Sequence, residues 1–474
     1  MSAAARAAYS KVFKQLRVGN TLDTGEGSLR WAIAQANESQ EDDLIDLSSV
    51  SGTIILQSDL PNISGNLTIS GDGNDIISGN KAYCVFFVDR GTVGIKNLTI
   101  ANGLVQGNAG KNGAGAAAGM GGGLFINDGT VTLSSVLIEN NQAIGGAGTY
   151  RTRDMSSSIS THDVGSSIKS NKSNHEVNRG GIVDINGVGL TALDSFASGS
   201  SGSTIETDQN KFNANRGGIA GVNGIGIGGI GTITFAGGGG FGGFGNAGNG
   251  GRGGDGGTNG GNGGNGGDGG DGGVGIFGDF GIKDGQGAIG IMAFSGGGGF
   301  GGFGNAGEGG NGGDAIADIA NGGQGGNGGN GGSGGFGGGG GSGGFGGQGG
   351  ALHIPGKLGT PGKGGFGAGN GGPGLGGSGG GLGGGIFVRS GRLILNDVTF
   401  KNNAALGGSG PSPGQGKGGA IFIVTENLKD QAKVAVAPSV RSVKRFPSFI
   451  GNVASQASNT NTDNPNVYGV IKVE

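Results

Sequence analysis

Two segments of the chain are near copies of each other, and this internal repeat restricts the fold more than any other feature. GGGLFINDGTVTLSSVLIENNQAIGGAG begins at Gly121, and GGGIFVRSGRLILNDVTFKNNAALGGSG begins at Gly383, so that the offset is 262 residues with no gap. Repetition of this kind is typical of chains that stack similar structural units on one another. The repeat therefore predicts stacked units rather than a single layered domain.

Each copy has the pattern of one coil of a parallel β-helix. Residues 124–126, 130–133 and 136–138 read as three short strands, and turn residues separate them. One coil cannot bury its own apolar face, but stacking at about 4.8 Å per coil would bury the inward side chains. Asn140 and Asn141 fit a corner that needs the left-handed conformation, or alternatively a ladder of asparagines inside the stack.

The coil endings predict how the chain is organised. Asparagine-containing endings precede glycine-rich loops of very different length, and each loop closes before a Gly-Gly-apolar-Phe or Gly-Gly-Ala-Ile-Phe segment. We therefore expect that one enlarged loop separates two parts of the β-helix, which stack directly on each other. The alternative is two separate β-helices joined by a linker. The predicted division is an N-terminal segment with a capping helix, the first β-helix part, the insertion and the second β-helix part: 1–37, 38–148, 149–382 and 383–474.

Glycine contributes 129 of the 474 residues, and most of it lies in the middle of the chain. Ordinary usage is about 7%, and proline is too rare for collagen. Single residues between glycine pairs recur every three positions, which matches the three residues per turn of a polyproline-II helix. We expect a bundle of such helices with apolar seams, and a flexible glycine linker is the alternative. The candidate surface and packing residues are Phe241, Phe244, Phe300, Phe303, Asn262, Asn265, Asp268 and Asp271.

Charge and cysteine content exclude several classes of protein. The net charge of −3 argues against nucleic-acid binding, and the single cysteine, Cys84, excludes an intramolecular disulfide. No apolar run is long enough to cross a membrane, and no signal peptide is visible from Met1 to Leu16. No cofactor is expected. A calcium site at GGDGGDGGV is a weaker interpretation, because Gly273 replaces the aliphatic residue of the calcium-binding nonapeptide.

The N-terminal sequence resembles that of large bacterial surface β-helix proteins. VGNTLDTGEGSLRWAIAQANES is followed by GTIILQSDLPNISGNLTISGDG, where those proteins carry C-S-L-R-E-A-I, G-T-I-x-L and L-P-x-I. Gly27 and Trp31 depart from that pattern. Residues 28–37 read as an amphipathic helix with Leu29, Ile33 and Ala36 on one face, placed to cap the open end of the stack.

The coil units also resemble the repeats of chlamydial polymorphic outer-membrane proteins, which pair G-G-A-I with F-x-x-N. GGAI begins at Gly418, FKNN at Phe400 and FIGN at Phe449. Together the resemblances imply a right-handed, pectin-lyase-like parallel β-helix of bacterial origin. They also imply an extracellular or cell-surface location.

Three functions follow as hypotheses. The first is a non-catalytic structural or adhesive protein that binds a glycan or a neighbouring surface protein, including its own copies, through the insertion. The second is a polysaccharide lyase or hydrolase, whose candidate acids are Asp42, Asp43, Asp46, Asp72 and Asp75. The third is ice binding, although the sequence has no regular threonine ladder.

Overall fold

The computed structural model describes residues 14–39, 41–50, 52–151, 330–345 and 357–474, together with the backbone of four short strands between 166 and 213. The regular structure of these residues is nearly all β, with one α-helix, α1 (Leu29–Glu38), and one 3₁₀ helix (Glu426–Leu428). Apart from two antiparallel hairpins, the named strands pair in parallel. The prediction of an all-β chain is therefore confirmed.

The strands are short, and many of them have only two to four residues. Those of the first part of the chain are β1 (Lys14–Arg17), β2 (Asp43–Asp46), β3 (Thr53–Ile55), β4 (Leu67–Ser70), β5 (Ile76–Ser78), β6 (Phe86–Val88), β7 (Thr92–Ala101), β8 (Leu104–Gln106), β9 (Gly119–Met120), β10 (Leu124–Ile126), β11 (Thr130–Glu139) and β12 (Gln142–Ile144). The two hairpins are formed by β13 (Ser166–Ser170), β14 (Ser173–Val177), β15 (Thr204–Thr207) and β16 (Asn210–Asn213). The remaining strands are β17 (Gly381–Leu382), β18 (Ile386–Val388), β19 (Arg392–Lys401), β20 (Ala404–Leu406), β21 (Gly416–Lys417), β22 (Ile421–Ile423), β23 (Ser439–Ser442), β24 (Ser448–Ile450), β25 (Val453–Ala454), β26 (Val467–Tyr468) and β27 (Ile471–Val473).

From β6 onward, and apart from the two hairpins, successive strands visit four parallel sheets in a fixed order, and we call one such passage a rung. The rung β9–β10–β11–β12 pairs strand for strand with the rung β17–β18–β19–β20. The preceding strands β6, β7 and β8 pair with the first of these rungs on its other side. Each rung therefore supplies the hydrogen-bonding edge for the next one.

The 262-residue offset of the sequence repeat is also the register of the sheets. Phe125 pairs with Phe387, Ser134 with Asn396 and Ala143 with Ala405. The prediction that the two copies stack directly on each other is confirmed, and two separate β-helices joined by a linker are excluded. The predicted boundaries of the insertion stay a prediction.

Side chains on alternate positions face two different cores. In β10, Leu124 and Ile126 belong to the core enclosed by the rungs, while Phe125 lies in a second core. The same division holds one rung later, where Phe387 lies in the second core. Strand periodicity of two produces this division, because neighbouring residues of a strand point to opposite faces of the sheet.

The long strands β7, β11 and β19 bend at one position. Asn97, Ser135 and Asp397 adopt positive φ angles of 53°, 53° and 56°, which places them in the left-handed region. The turn predicted between residues 130–133 and 136–138 is confirmed by the bend at Ser135. The expected break into two strands is wrong, because β11 continues through the corner from Thr130 to Glu139.

Helix α1 explains why a Ser-Leu-Arg segment occurs near the N-terminus. The Ser28 side chain accepts a hydrogen bond from the Trp31 backbone N–H (3.2 Å) and so caps the helix, and Leu29 is buried. The Arg30 guanidinium donates to the Asp23 carboxylate (2.8 Å), which ties the helix to the preceding loop. The predicted helix is confirmed, but the strand β1 precedes it and pairs with β2.

Candidate functional site

The eight residues singled out in the insertion lie outside the described residues. They are Phe241, Phe244, Phe300, Phe303, Asn262, Asn265, Asp268 and Asp271. Two other glycine-rich segments of the insertion, 330–345 and 357–380, are described, and they carry Phe336, Phe345 and Phe366 in similar Gly-Gly-Phe-Gly surroundings. Phe336 and Phe366 lie in or against the second core, and their packing shows how a phenylalanine of the insertion is held.

An aromatic column runs along the outer face of the sheet that contains β10, β18 and β22. The rings of Phe87, Phe125, Phe387, Phe422 and Tyr468 follow one another with centroid separations of 4.9, 4.9, 5.2 and 4.7 Å. Stacked or tilted pairs at these distances add to the apolar area that the rings bury. These rings belong to the second core or pack against it, so another part of the chain must shield them from water.

Glycine-rich segments of the insertion provide this cover. The Phe336 ring lies 6.3 Å from that of Phe387 and 6.1 Å from that of Phe422, and only 2% of Phe336 is exposed. The Phe366 ring lies 5.2 Å from that of Tyr468. Phe336, which lies more than 40 positions before the second repeat, thus belongs to the second core, and Phe366 packs against it.

The glycine-rich segments are joined by hydrogen bonds at every third residue. The backbone N–H groups of Gly359, Gly362 and Gly365 donate to the carbonyl oxygens of Gly344, Gly341 and Gly338, each at 2.9 Å. The same spacing occurs between the insertion and the rung loops, where Ala116 and Gly119 donate to Gly377 and Gly380 at 2.9 Å. A repeat of three matches the three residues per turn predicted from the sequence.

A ladder of buried asparagines runs inside the stack beside this layer. Asn141 donates from Nδ2 to Asn403 Oδ1 (3.0 Å), and Asn403 donates from Nδ2 to Asn452 Oδ1 (3.0 Å). Each of these side chains also bonds to backbone groups of neighbouring rungs, such as Ile138 O and Gly103 N–H. Both interpretations of the Asn-Asn pair are therefore correct for different residues, because Asn140 forms the corner (φ 57°) and Asn141 the ladder.

The corner asparagines line a groove on the outside of the same rungs. Its volume is about 320 Å³, and it lies over the backbone of Gly103. The side chains that line it are Lys81, Asn102, Leu104, Asn140, Gln142 and Asn402. Sequence reasoning missed this groove, although the corner asparagines were its signal.

The groove is polar and carries one positive charge. Lys81 is exposed, and no aspartate or glutamate lines the cavity. The nearby Glu139 carboxylate accepts a hydrogen bond from Lys401 Nζ at 3.1 Å. The charges of these two side chains neutralise each other and do not change the net charge of the groove. Within the described part of the chain, the side-chain amides of Asn140 and Gln142 have no hydrogen-bond partner. The arrangement can therefore offer amide donors and acceptors and one ammonium group to a ligand.

The candidate acids lie at the N-terminal end of the stack, and the pKa values of several of them are shifted. Burial raises the pKa of Asp75, and the Asp72 carboxylate adds to this effect, while the hydrogen bond from the Asp72 N–H opposes it. The hydrogen bond from the Asn74 N–H holds the pKa of Asp72 below its usual value. Burial also raises the pKa of Asp43. Opposite shifts in two neighbouring carboxyls are a pattern found in acid–base pairs.

Cys84 is partly buried against the second core. Its Sγ lies 3.2 Å from the carbonyl oxygens of Phe86 and Gly121, and burial raises the pKa of the thiol to about 12. Such a thiol is a weak nucleophile at neutral pH. Cys84 therefore has the environment of a packing residue.

Comparisons with known proteins found no similar protein, so a function can be inferred only from the sequence and structure of this chain. No family model, curated protein or solved structure matches the sequence or the structure. Among the described residues, no group of three or more histidine, cysteine, aspartate or glutamate side chains could hold a metal ion. No helix in the described ranges is long and apolar enough to cross a membrane.

Proposed function

We propose that this chain is a non-catalytic structural or adhesive protein of the extracellular space or the bacterial cell surface. A stack of rungs holds the insertion, and the insertion binds a glycan or a neighbouring protein, including another copy of the chain. One observation carries the proposal: the rung that ends with β12 and the rung that begins with β17 are paired neighbours, so residues 145–380 form one insertion between adjacent rungs. The paired rungs give this insertion a support of regular hydrogen-bonded strands.

The proposal includes a right-handed, pectin-lyase-like parallel β-helix as the support. The fixed order of the sheets and the constant register of the repeats favour a stacked parallel β-helix, and the right hand is that of nearly all parallel crossover connections. It also includes polyproline-II helices in the insertion, which the hydrogen bonds at every third residue favour. The stacking of coils explains why short strands suffice, since each strand pairs on both sides.

The test is to replace residues 152–329 with a flexible Gly/Ser linker of about 20 residues, whose root-mean-square reach is about 25 Å. Residues 330–382 are kept, because Phe336 covers the aromatic column. We expect an unchanged cooperative melt and loss of attachment to cell-wall glycans or of self-association in sedimentation experiments.

A matched control replaces only residues 152–214, which precede most of the glycine-rich sequence. Attachment or self-association should persist in this control if the glycine-rich part carries it. Unchanged attachment and unchanged self-association after replacement of 152–329 would refute the proposed function.

The opposite pKa shifts of Asp72 and Asp75 favour a second candidate, a polysaccharide-active enzyme. The test is a screen of the full chain against uronate polymers, with Asp72→Asn and Asp75→Asn beside it. Reproducible cleavage that both substitutions abolish would establish the enzyme. Absence of cleavage by the unaltered chain would reject this candidate.

A further inference from the structure

The groove at the asparagine corners has the periodicity of the stack. Glu139 pairs with Ala101 on one side and with Lys401 on the other, so the residues that follow these three are equivalent in successive rungs. These residues are Asn102, Asn140 and Asn402. One side-chain amide therefore recurs in three successive rungs, about 4.8 Å apart along the stack, and glycines take the equivalent positions on either side, Gly79 and Gly451.

A second row of groove residues follows the same repeat. Gln142 pairs with Leu104 in the preceding rung and with Ala404 in the next. Lys81 lies at the N-terminal end of the groove, where its backbone N–H donates to Asn102 O at 2.7 Å. The groove thus presents equally spaced amides, one small apolar surface and a cation at one end.

The left-handed corner holds these side chains in place. Lys81, Asn102, Asn140 and Asn402 have φ angles of 54°, 51°, 57° and 53°. Residues other than glycine in this region are uncommon, and they gather at sites where the surroundings fix the backbone. Each side chain consequently leaves the corner in a similar direction, and the amides form a row.

Three ligand classes can be weighed against this arrangement. A peptide added as a strand needs a free sheet edge. β12 is paired on both sides, and at β8, the last strand of this sheet, the Leu104 N–H already donates to Tyr83 O at 3.0 Å. A nucleic acid needs several cations for its phosphates, and Lys81 is the single cation that lines the groove. A linear sugar chain needs hydrogen-bonding groups at regular intervals, which the amide row supplies.

We propose that this groove binds a linear acidic glycan along the stack, independently of the insertion. The amides of Asn140 and Asn402 contact hydroxyl groups of successive sugar units, and the Lys81 ammonium contacts a carboxylate. Asn102, whose Nδ2 donates to Ser78 Oγ at 3.3 Å, offers its Oδ1 as an acceptor. Gln142 adds a second amide from the neighbouring row, and Leu104 contacts the apolar face of a ring. The site goes beyond the proposed function, because it lies on the rungs and needs none of the residues from 152 to 329.

The experiment is calorimetric titration of the full chain with a linear hexamer of a hexuronic acid, at low ionic strength, beside its neutral carboxyl-reduced counterpart. Asn140→Gly removes one amide and keeps a residue that adopts a positive φ without strain. We expect it to weaken binding of both probes by about three- to tenfold. Lys81→Asn should weaken only the acidic probe, by about tenfold, and remove much of the salt dependence.

Ser135→Gly is the matched control, since Ser135 has the same left-handed backbone at the other corner and does not line the groove. It should leave the affinity for both probes unchanged. Failure of both probes to bind at millimolar concentration would overturn the proposal, as would an equal loss in Ser135→Gly. Equal affinity for the two probes would overturn the requirement for an acidic sugar.

The chain with 152–329 replaced separates this proposal from the proposed function. We expect this variant to keep its affinity for the hexuronic acid hexamer even where attachment is lost. If it loses the hexamer too, the insertion is needed for binding and the groove is not the site.

Discussion

Replacing Asn403 with alanine tests how much the buried ladder contributes to the stability of the stack. Asn403 is fully buried, and its side chain takes part in four hydrogen bonds. It accepts from the backbone N–H and the Nδ2 of Asn141 at 3.1 and 3.0 Å. It donates to Ile138 O at 2.9 Å and to Asn452 Oδ1 at 3.0 Å.

The magnitude follows from the groups that lose their partner. Asn141 Nδ2 still has Ile100 O, and Asn452 Oδ1 still accepts from the Asn403 N–H. The substitution leaves the Asn141 backbone N–H and Ile138 O without these partners in a buried site. At about 1–3 kcal/mol for each such group, we expect the free energy of unfolding to fall by about 4 kcal/mol.

The measurement is equilibrium unfolding in urea, together with hydrogen exchange at the amide of Asn141. Asn402→Gly is the matched control, because Asn402 is the adjacent asparagine, is exposed and has a φ of 53° that glycine adopts without strain. Its stability should change by less than about 0.5 kcal/mol. If both substitutions cost the same, the ladder does not hold the rungs together and the reasoning from hydrogen bonds fails.

Three further predictions concern the second core, the thiol and one ion pair. Phe336→Ala should cost about 3–5 kcal/mol of unfolding free energy because it removes a buried ring, whereas Phe446→Ala, at a residue that is 61% exposed, should be nearly neutral in the same urea titration. Cys84 should react with iodoacetamide at pH 8 only as fast as the chain unfolds; rapid labelling of the native protein would contradict the raised thiol pKa. Burial raises the pKa of Asp463, but hydrogen bonds from Lys417 (2.7 Å) and a serine outweigh burial, so the pKa is lowered overall. The ionised Asp463 therefore stabilises the folded chain above the unfolded pKa of about 3.9. This contribution to the free energy of unfolding is lost as the pH falls through the folded pKa. Lys417→Met should therefore destabilise the chain at pH 7 and much less at pH 2, and an equal loss at both pH values would refute this.

The register of the rungs could be predicted because the two copies of the repeat align in the sequence without a gap. A gapless repeat leaves one way to align two copies in parallel sheets, and a shift by one residue would turn every inward side chain outward. The helix α1 was equally predictable from its apolar residues, since a helical period is a local signal. Each of these features depends on residues that are close together in the sequence or on the repeat of one segment by another.

The second core and the groove could not be predicted, because they combine residues that are distant in the sequence. Phe125 and Phe387 were visible as matching positions, but a strand of three residues does not reveal which face its central residue takes. Phe336 reaches their column only through the fold of the glycine-rich layer. Lys81 reaches Asn102 across a turn, and no spacing rule connects them.

The high glycine content and the outward phenylalanines are two parts of one packing arrangement. An added Cβ at Gly379 would overlap the carbonyl oxygen of Ala117, and one at Gly362 would overlap that of Gly332, so the layer needs glycine for its segments to approach this closely. Such a layer has few side chains to bury, and its hydrogen bonds alone stabilise it weakly against the entropy of ordering. The aromatic column supplies the missing apolar surface, and the two insertion phenylalanines connect the layer to it. It follows that the phenylalanines determine where a glycine-rich segment is held, and that the glycines determine how closely it packs.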